Sequence, residues 1–561
     1  ASAAASRHVS IELLVTVAAT GALIIGEQWE AAAVTFLFNL GGYLEARTMA
    51  RTRRVIGDLL DLAPARAIVI RNGAEQEIDA TDIIPGETAI IKPGSRIPVD
   101  GVVQSGNSRV DESSITGESY PAQKASGTPV YAGTYNQTGL LRVTVERVGS
   151  DTTLARIIER VEEAQEAKAP TQRFMERFSR WYTPAIILLS AGVYVVTRDV
   201  EFALTVLVIG CPGALVISTP VSIVAGIGGA ARHGILMKGG AHLEEAGRIT
   251  AVAFDKTGTL TLGHPEVTSV VAMNHRDPLY WAAVAERGSE HPIAGAILRH
   301  ADLPTGAPHA DTVEALAGRG IRATIGRETI LVGNAALMED YNVQLPPADA
   351  AGETAAPKPN GTTVYVAGNT AADGSEFIGT ITIADPLRPD AVTAVESLRA
   401  GGIKRIVMLT GDNQETAETV GAQTGITEVY AELLPEEKLE HIKQLGKEGN
   451  VVAMIGDGIN DAPALAASHI GIALGAVGTD VAIETADIAL MQNDLNLVAR
   501  AIHRARKTLN NIRQNVVIAV VTVTALLAGV LLGEVHMAGG MLIHEASVMI
   551  VILNGMRLMR R

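Results

Sequence analysis

Apolar stretches in this sequence come in pairs, each closed by a short polar turn, and the pairs frame large polar blocks. The first pair covers 9–26 and 30–44 and turns at Gly26-Glu27-Gln28-Trp29. The second covers 184–197 and 202–224 around Arg198-Asp199, and the third covers 516–533 and 541–553 with a Gly-rich turn. The longer windows approach the roughly 20 residues that cross a ~30 Å hydrocarbon core as a helix. Composition agrees: 47% of residues are hydrophobic and 19% charged, below the ~25% charge usual in a soluble domain. Three hairpins in a bilayer are therefore expected.

Basic residues set the orientation. Arg47, Arg51, Arg53 and Arg54 follow the first pair; Arg173, Arg177 and Arg180 precede the second, and Arg232 and Lys238 follow it. Arg504, Arg506, Lys507 and Arg513 precede the third, with Arg557, Arg560 and Arg561 after it. In a six-helix layout all lie on one side, the cytoplasmic side by the bias of Lys and Arg. The polar blocks of about 51–170 and 240–505 are then cytoplasmic. The opening Ala-Ser-Ala-Ala-Ala lacks the basic stretch and cleavage site of a secretory signal. With 46 Lys and Arg against 61 Asp and Glu, the net charge of −15 argues against a nucleic-acid partner, which wants a basic face. A single cysteine, Cys211, excludes a disulfide framework.

In the second polar block, an expected buried strand at 249–254 delivers Asp255 at its C-terminal end, followed by Lys256-Thr257-Gly258. Open α/β sheets bind ligands at such strand ends, and a carboxylate there can attack a phosphoryl group. Two more apolar runs end alike, at Thr410-Gly411-Asp412-Asn413 and at Gly456-Asp457-Gly458-Ile459-Asn460-Asp461. Hydroxyls and carboxylates beside glycine suit a phosphate and Mg²⁺ site, with Asp457 sharing the metal with Asp255. Lys438 adds a positive charge.

Asp-Lys-Thr-Gly-Thr, Thr-Gly-Asp and Gly-Asp-Gly-x-Asn-Asp resemble the phosphorylation-domain motifs of P-type ATPases, and Thr116-Gly117-Glu118-Ser119 is similar to that family's actuator loop. The likeness covers nearly the whole chain in the family's order. It implies a multidomain membrane protein. A six-helix transmembrane bundle (9–50, 181–232, 512–557) would carry a β-rich actuator domain (51–170) and an α/β haloacid-dehalogenase-like phosphorylation domain (245–266 and 384–500). An α+β nucleotide-binding domain (267–383) would be inserted in the latter. The resemblance further implies ATP as substrate, Mg²⁺ as cofactor, phosphorylation of Asp255 assisted by Lys256, Thr257, Thr410, Gly411, Asp412 and Lys438, Mg²⁺ held by Asp255, Thr257 and Asp457, and a water oriented by Glu118. Ser289-Glu290-His291-Pro292, Gly318-Arg319-Gly320 and Val332-Gly333-Asn334 resemble the nucleotide domain of the heavy-metal branch. Glu286, His291, Gly318, Gly320 and Asn334 would then surround the base. The segment 350–360 is expected to be a flexible loop.

At membrane depth, Ile209-Gly210-Cys211-Pro212-Gly213 breaks a helix, because Pro212 cannot donate to the helix ladder, and a thiolate beside the break is a soft-metal ligand. Heavy-metal pumps commonly carry a second Cys where this chain has Gly213, so Cu(I), which favours paired thiolates, is a poor fit. His544 and Glu545, adjacent in an apolar stretch, are similar to the cobalt-type subgroup of the family. Ionisable groups there default to function. Cys211, His544 and Glu545 are expected to converge on a divalent ion, with Zn²⁺ favoured over Co²⁺, Fe²⁺, Mn²⁺ or Cd²⁺.

The expectation is thus an ATP-driven metal exporter, a monomer, multi-pass in the plasma or inner membrane. Members of the heavy-metal branch also carry two helices, and often a Cys-bearing metal domain, ahead of a pair like the first one here. The main rival is a membrane-anchored phosphohydrolase of the haloacid-dehalogenase type, which needs neither Thr116–Ser119 nor Cys211-Pro212. A metal sensor without catalysis would need no Asp255, Asp457 and Glu118 together.

Overall fold

The structure, a computed structural model, describes residues 11–559 except 61–63, 65, 113–120, 167, 290, 317–318, 346–360, 371–373, 458–460 and 476–485. Glu118 with its loop, Gly318, the 350–360 segment and most of Gly458–Asp461 thus lie outside the described residues. The chain divides into two compact units.

The first unit comprises residues 1–251, 400–403 and 443–561. Its apolar windows form helices α1 (Ile11–Ile25), α2 (Gln28–Leu60), α3 (Pro170–Thr197), α4 (Val200–Ile209), α5 (Gly213–Ala231), α6 (Asn496–Leu531) and α7 (Met537–Met556). Several outrun the apolar windows. α2 continues through the arginines to Leu60, and α3 starts at Pro170, ahead of the apolar window, with Pro184 inside it. Among the described residues three helical segments are long and apolar enough to cross a membrane: 200–231, 496–531 and 537–559. Large apolar side chains face outward along the bundle, including Leu532 at 78% exposure and Val196 at 84%, as lipid-facing positions must. Trp29, at the start of α2, and Trp181, just ahead of the apolar window of α3, are both far exposed, as amphipathic rings at a membrane–water boundary are.

The actuator portion is a twisted antiparallel sheet in the order 74–79, 66–71, 88–91, 141–147, 100–106, 129–130, with a smaller three-stranded sheet beside it. Alternating residues such as Val69, Ala89, Val103, Val143 and Val145 fill its core. Buried Asp100 ties the sheet to the next helix, accepting from the Thr153 amide at 2.6 Å and hydroxyl at 2.7 Å. The strands Ile235–Met237, Ile488–Leu490, Ile470–Ala473 and Val452–Gly456 are neighbours in this unit. Val452–Gly456 is wholly buried, and Asp457 follows it.

The second unit comprises residues 252–399 and 404–442. The strand Ala251–Asp255 neighbours Arg405–Leu409, which pairs in parallel with Glu428–Tyr430. Inserted between them is a six-stranded antiparallel sheet in the order 266–272, 374–384, 362–370, 328–333, 320–325, 312–316. Helices Pro278–Glu286 and Pro292–His300 cover one face through Ala282, Ala285, Ile297 and their neighbours. Within this polar block the chain switches from α/β to all-antiparallel.

Candidate phosphorylation, nucleotide and ion sites

Asp255 ends a strand whose every residue is buried. The chain then turns sharply through residues 256–260, where Gly258 has φ +71, a left-handed conformation that costs glycine little. Lys438 Nζ lies 2.5 Å from Asp255 Oδ1, and Lys256, itself 5% exposed, pairs with Asp412. Thr410 is buried at the end of Arg405–Leu409, and its hydroxyl accepts from the Asp412 amide at 3.1 Å. Asn413 caps the helix Gln414–Thr424 by accepting from Thr416 N. Asp255, Lys256, Asp412 and Lys438 are thus linked as two ion pairs in one loop cluster, with Thr257 beside Lys256.

Two supporting residues escaped the sequence reading. Arg388, 6% exposed, donates to Gly258 O at 2.8 Å and to Thr261 O at 3.1 Å; burial draws its pKa down, against the nearby Asp390 and Asp385 charges. Asp385 accepts from the Thr261 hydroxyl at 2.5 Å and the Gly263 amide at 2.8 Å. Together they fix the loop behind Asp255 from a segment more than a hundred positions away. The only local signal was an Asp-Pro at a strand end.

Of the residues expected around the base, Glu286, His291, Gly320 and Asn334 line one cavity of about 400 Å³, together with Ser289 and Gly333 among others. Gly320 (φ +143) lies opposite Gly333 across the sheet, and a Cβ at Gly320 would overlap Val332 O. His291 Nδ1 accepts from Ile293 N at 3.3 Å, which puts the ring proton on Nε2 and leaves that nitrogen a donor. Glu286 is 6% exposed; burial raises its pKa, opposed by a Ser289 hydrogen bond and by His291 when that ring is protonated. Its Oε2 has no hydrogen-bond partner among the described residues. A second cleft, about 780 Å³, is lined by Lys256, Asp385, Asp412, Asn413 and Thr416. Ile293 and Thr362 line both spaces, so the two cavities are neighbours.

In the membrane bundle, α4 ends at Gly210 and the helix restarts at Gly213, with Pro212 O accepting from Leu215 N and Val216 N. Around the break, Cys211 is 4% and His544 2% exposed. A Cβ at Gly213 would sit 3.2 Å from His544 Nε2 and 3.7 Å from Cys211 Sγ, so thiol and imidazole flank the same bare backbone. His544 Nδ1 has no hydrogen-bond partner among the described residues. Glu545 departs from the expected convergence. Its carboxylate occupies the space beside Gly41 of α2, where any Cβ would overlap it. Adjacent helical residues leave the axis about 100° apart, and here Glu545 takes the side of Gly41 while His544 takes that of Gly213. Among the described residues no three His, Cys, Asp or Glu side chains gather into a metal-sized cluster.

The comparisons with known proteins agree with this layout. Residues 249–469 match the family model of haloacid dehalogenase-like hydrolases, and residues 61–162 that of the P-type ATPase actuator domain. A cadmium-transporting ATPase of Staphylococcus aureus is 41% identical over 98% of this chain and 77% of its own length. A manganese-exporting P-type ATPase of Mycobacterium tuberculosis is 41% identical over 98% and 78%. Among solved structures, a zinc-transporting PIB-type ATPase in its E2.Pi state superposes with a TM-score of 0.64 at 39% identity, covering 99% of this chain and 91% of that one. Membrane hairpins, actuator sheet, strand-end aspartate and broken helix belong together in one family, and this chain is a member of the heavy-metal-transporting P-type ATPases.

Proposed function

We propose that the chain exports a divalent transition-metal ion from the cytoplasm across the plasma or inner membrane, with Zn²⁺ as the favoured ion and Cd²⁺, Mn²⁺, Co²⁺ or Fe²⁺ as the alternatives. The observation that carries this reading is the pairing of Cys211 Sγ and His544 Nε2 around Gly213. One sulfur and one nitrogen suit a borderline divalent ion, whereas Cu(I) wants a second thiolate. Relatives named for cadmium and manganese, and a zinc pump of like structure, span the same range.

In the proposed cycle, ATP spans the two neighbouring cavities, its base against Glu286, His291, Gly320 and Asn334. An oxygen of Asp255 attacks the γ-phosphorus, the bond to the β-phosphate oxygen breaks, and ADP leaves. Lys438 keeps the Asp255 carboxylate ionised and in place, while Lys256 is held by Asp412 at the cleft. Hard carboxylate and hydroxyl oxygens fit Mg²⁺; Asp255, Thr257 and Asp457 are assigned to hold it, and it supplies charge neutralisation to the phosphate when bound. Glu118 orients the water that later hydrolyses the aspartyl phosphate.

The test is ATPase activity of the purified chain across Zn²⁺, Cd²⁺, Mn²⁺, Co²⁺ and Cu(I). Divalent ions should stimulate wild type and fail with Cys211→Ala, and Glu118→Gln should accumulate phosphoenzyme while turning over slowly. Strong Cu(I) stimulation, or an undiminished divalent response in Cys211→Ala, would place the ion elsewhere.

A further inference from the structure

Among the described residues of the helix bundle, the Thr219 hydroxyl, His544 Nδ1 and the Tyr182 hydroxyl are buried without a hydrogen-bond partner. Tyr182 on α3 has a hydroxyl shielded from solvent that makes no hydrogen bond among the described residues. Its ring is held firmly: Phe178 stacks on it with centroids 5.3 Å apart, and it packs against the cluster that includes Ile186, Leu207, Val208 and Met541. One turn further along α3, Ile186 lies against the break itself, since a Cβ at Gly210 would sit 2.7 Å from its Cγ2. The phenol therefore sits one turn from the residue that packs against the break, its ring fixed and its oxygen unsatisfied.

Burying a hydroxyl without a hydrogen bond costs on the order of 1–3 kcal/mol, and a phenylalanine in this socket would avoid that cost. His544 Nε2 and Cys211 Sγ flank Gly213 at that break. An unsatisfied oxygen close to a helix break that already carries a thiol and an imidazole is what a site looks like when its ligand completes it. Glu545, turned towards Gly41, is not positioned to provide the oxygen.

We propose that the Tyr182 hydroxyl is an oxygen donor to the transported divalent ion, forming with Cys211 and His544 a mixed sulfur, nitrogen and oxygen shell. This deepens the ion-site reading above and rests on it. An oxygen donor matters most to harder ions and least to soft, thiophilic ones. Tyr182 is then a selectivity residue, holding Mn²⁺ and Zn²⁺ within reach of a site whose thiolate alone would favour Cd²⁺.

The experiment uses the full purified chain and the metals alone, Mn²⁺ and Cd²⁺, titrated calorimetrically against wild type, Tyr182→Phe, Cys211→Ala and His544→Ala. In Tyr182→Phe the metal-free melting temperature should be unchanged or slightly raised, because no hydrogen bond is lost. Affinity for Mn²⁺ should fall about tenfold and that for Cd²⁺ by less than about threefold, which shifts the ratio between ions. An unchanged ratio overturns the proposal, and so does a metal-free Tyr182→Phe protein that melts early or fails to fold, since the hydroxyl would then be structural. Failure of the underlying site reading shows differently: Cys211→Ala and His544→Ala would bind both ions like wild type, and the assignment of Tyr182 would fall with it.

Discussion

The loop around Asp255 and the break around Cys211 are both buried, polar and irregular, yet they are satisfied in opposite ways. At the loop, Lys438 neutralises Asp255 and Lys256 pairs with Asp412, while Arg388 and Asp385 hold the turn from behind. At the break, His544 Nδ1 and the Tyr182 hydroxyl have no partner among the described residues. The difference follows from solvent and from what each site waits for. A loop that opens onto a cleft handles a highly charged substrate and must keep its own carboxylates ionised in its absence, so its charges are paired in advance. A site at membrane depth has no water to lean on and binds a bare cation; donors that satisfied one another would have to be pulled apart first.

If that contrast holds, removing a partner should do most harm where pairing is complete. Lys438→Met leaves the Asp255 carboxylate buried without its cation, a loss of about 3–5 kcal/mol for a broken buried pair. The carboxyl would then hold its proton and be a poor nucleophile. Phosphoenzyme formation from labelled ATP should fall by about a hundredfold or more, while metal binding stays normal. A Lys438→Met protein that phosphorylates at the wild-type rate would show that the pair is only a surface contact.

A smaller effect is expected in the nucleotide pocket, which shares the membrane site's habit of leaving a polar atom open. Burial raises the Glu286 pKa above its ordinary value, so the folded state holds the proton to higher pH than the unfolded chain does. Stability therefore declines as pH rises from the ordinary carboxylate range through the raised value, and the cost is fully present above it. Glu286→Gln removes that cost. Its melting temperature should match wild type near pH 4 and exceed it by a few degrees at pH 8, with weaker ATP binding as the penalty. Equal melting temperatures at both pH values would mean that the carboxyl is solvated after all.

Much of this was readable in the sequence because chemistry sits where strands end. Asp255, Thr410 and Asp457 each close an apolar run, with a glycine next to Thr410 and Asp457 and three residues after Asp255. The Gly320–Gly333 floor of the nucleotide pocket was half visible, as glycines without a stated partner; only the strand register sets them opposite each other. What stayed hidden depends on contacts distant in sequence or on side-chain direction. Arg388 reaches Gly258 across 130 positions, and no local pattern announces it. Tyr182 reads as packing, which its ring indeed does; its role lies in the one atom that packing leaves unsatisfied. Glu545 was grouped with His544 because they are neighbours in the chain, although helix geometry turns neighbours apart.

The central claim is that an ion held at Cys211 and His544 licenses phosphorylation of Asp255. The most direct measurement is the amount of acid-stable phosphoenzyme formed from labelled ATP as Zn²⁺ or Cd²⁺ is titrated into wild type, Cys211→Ala, His544→Ala and Asp255→Asn. Wild type should label in step with ion binding, the two membrane variants should need far more metal or fail to label, and Asp255→Asn should bind metal yet never label. Labelling of Asp255→Asn, or metal-dependent labelling of Cys211→Ala and His544→Ala at the wild-type midpoint, would contradict it.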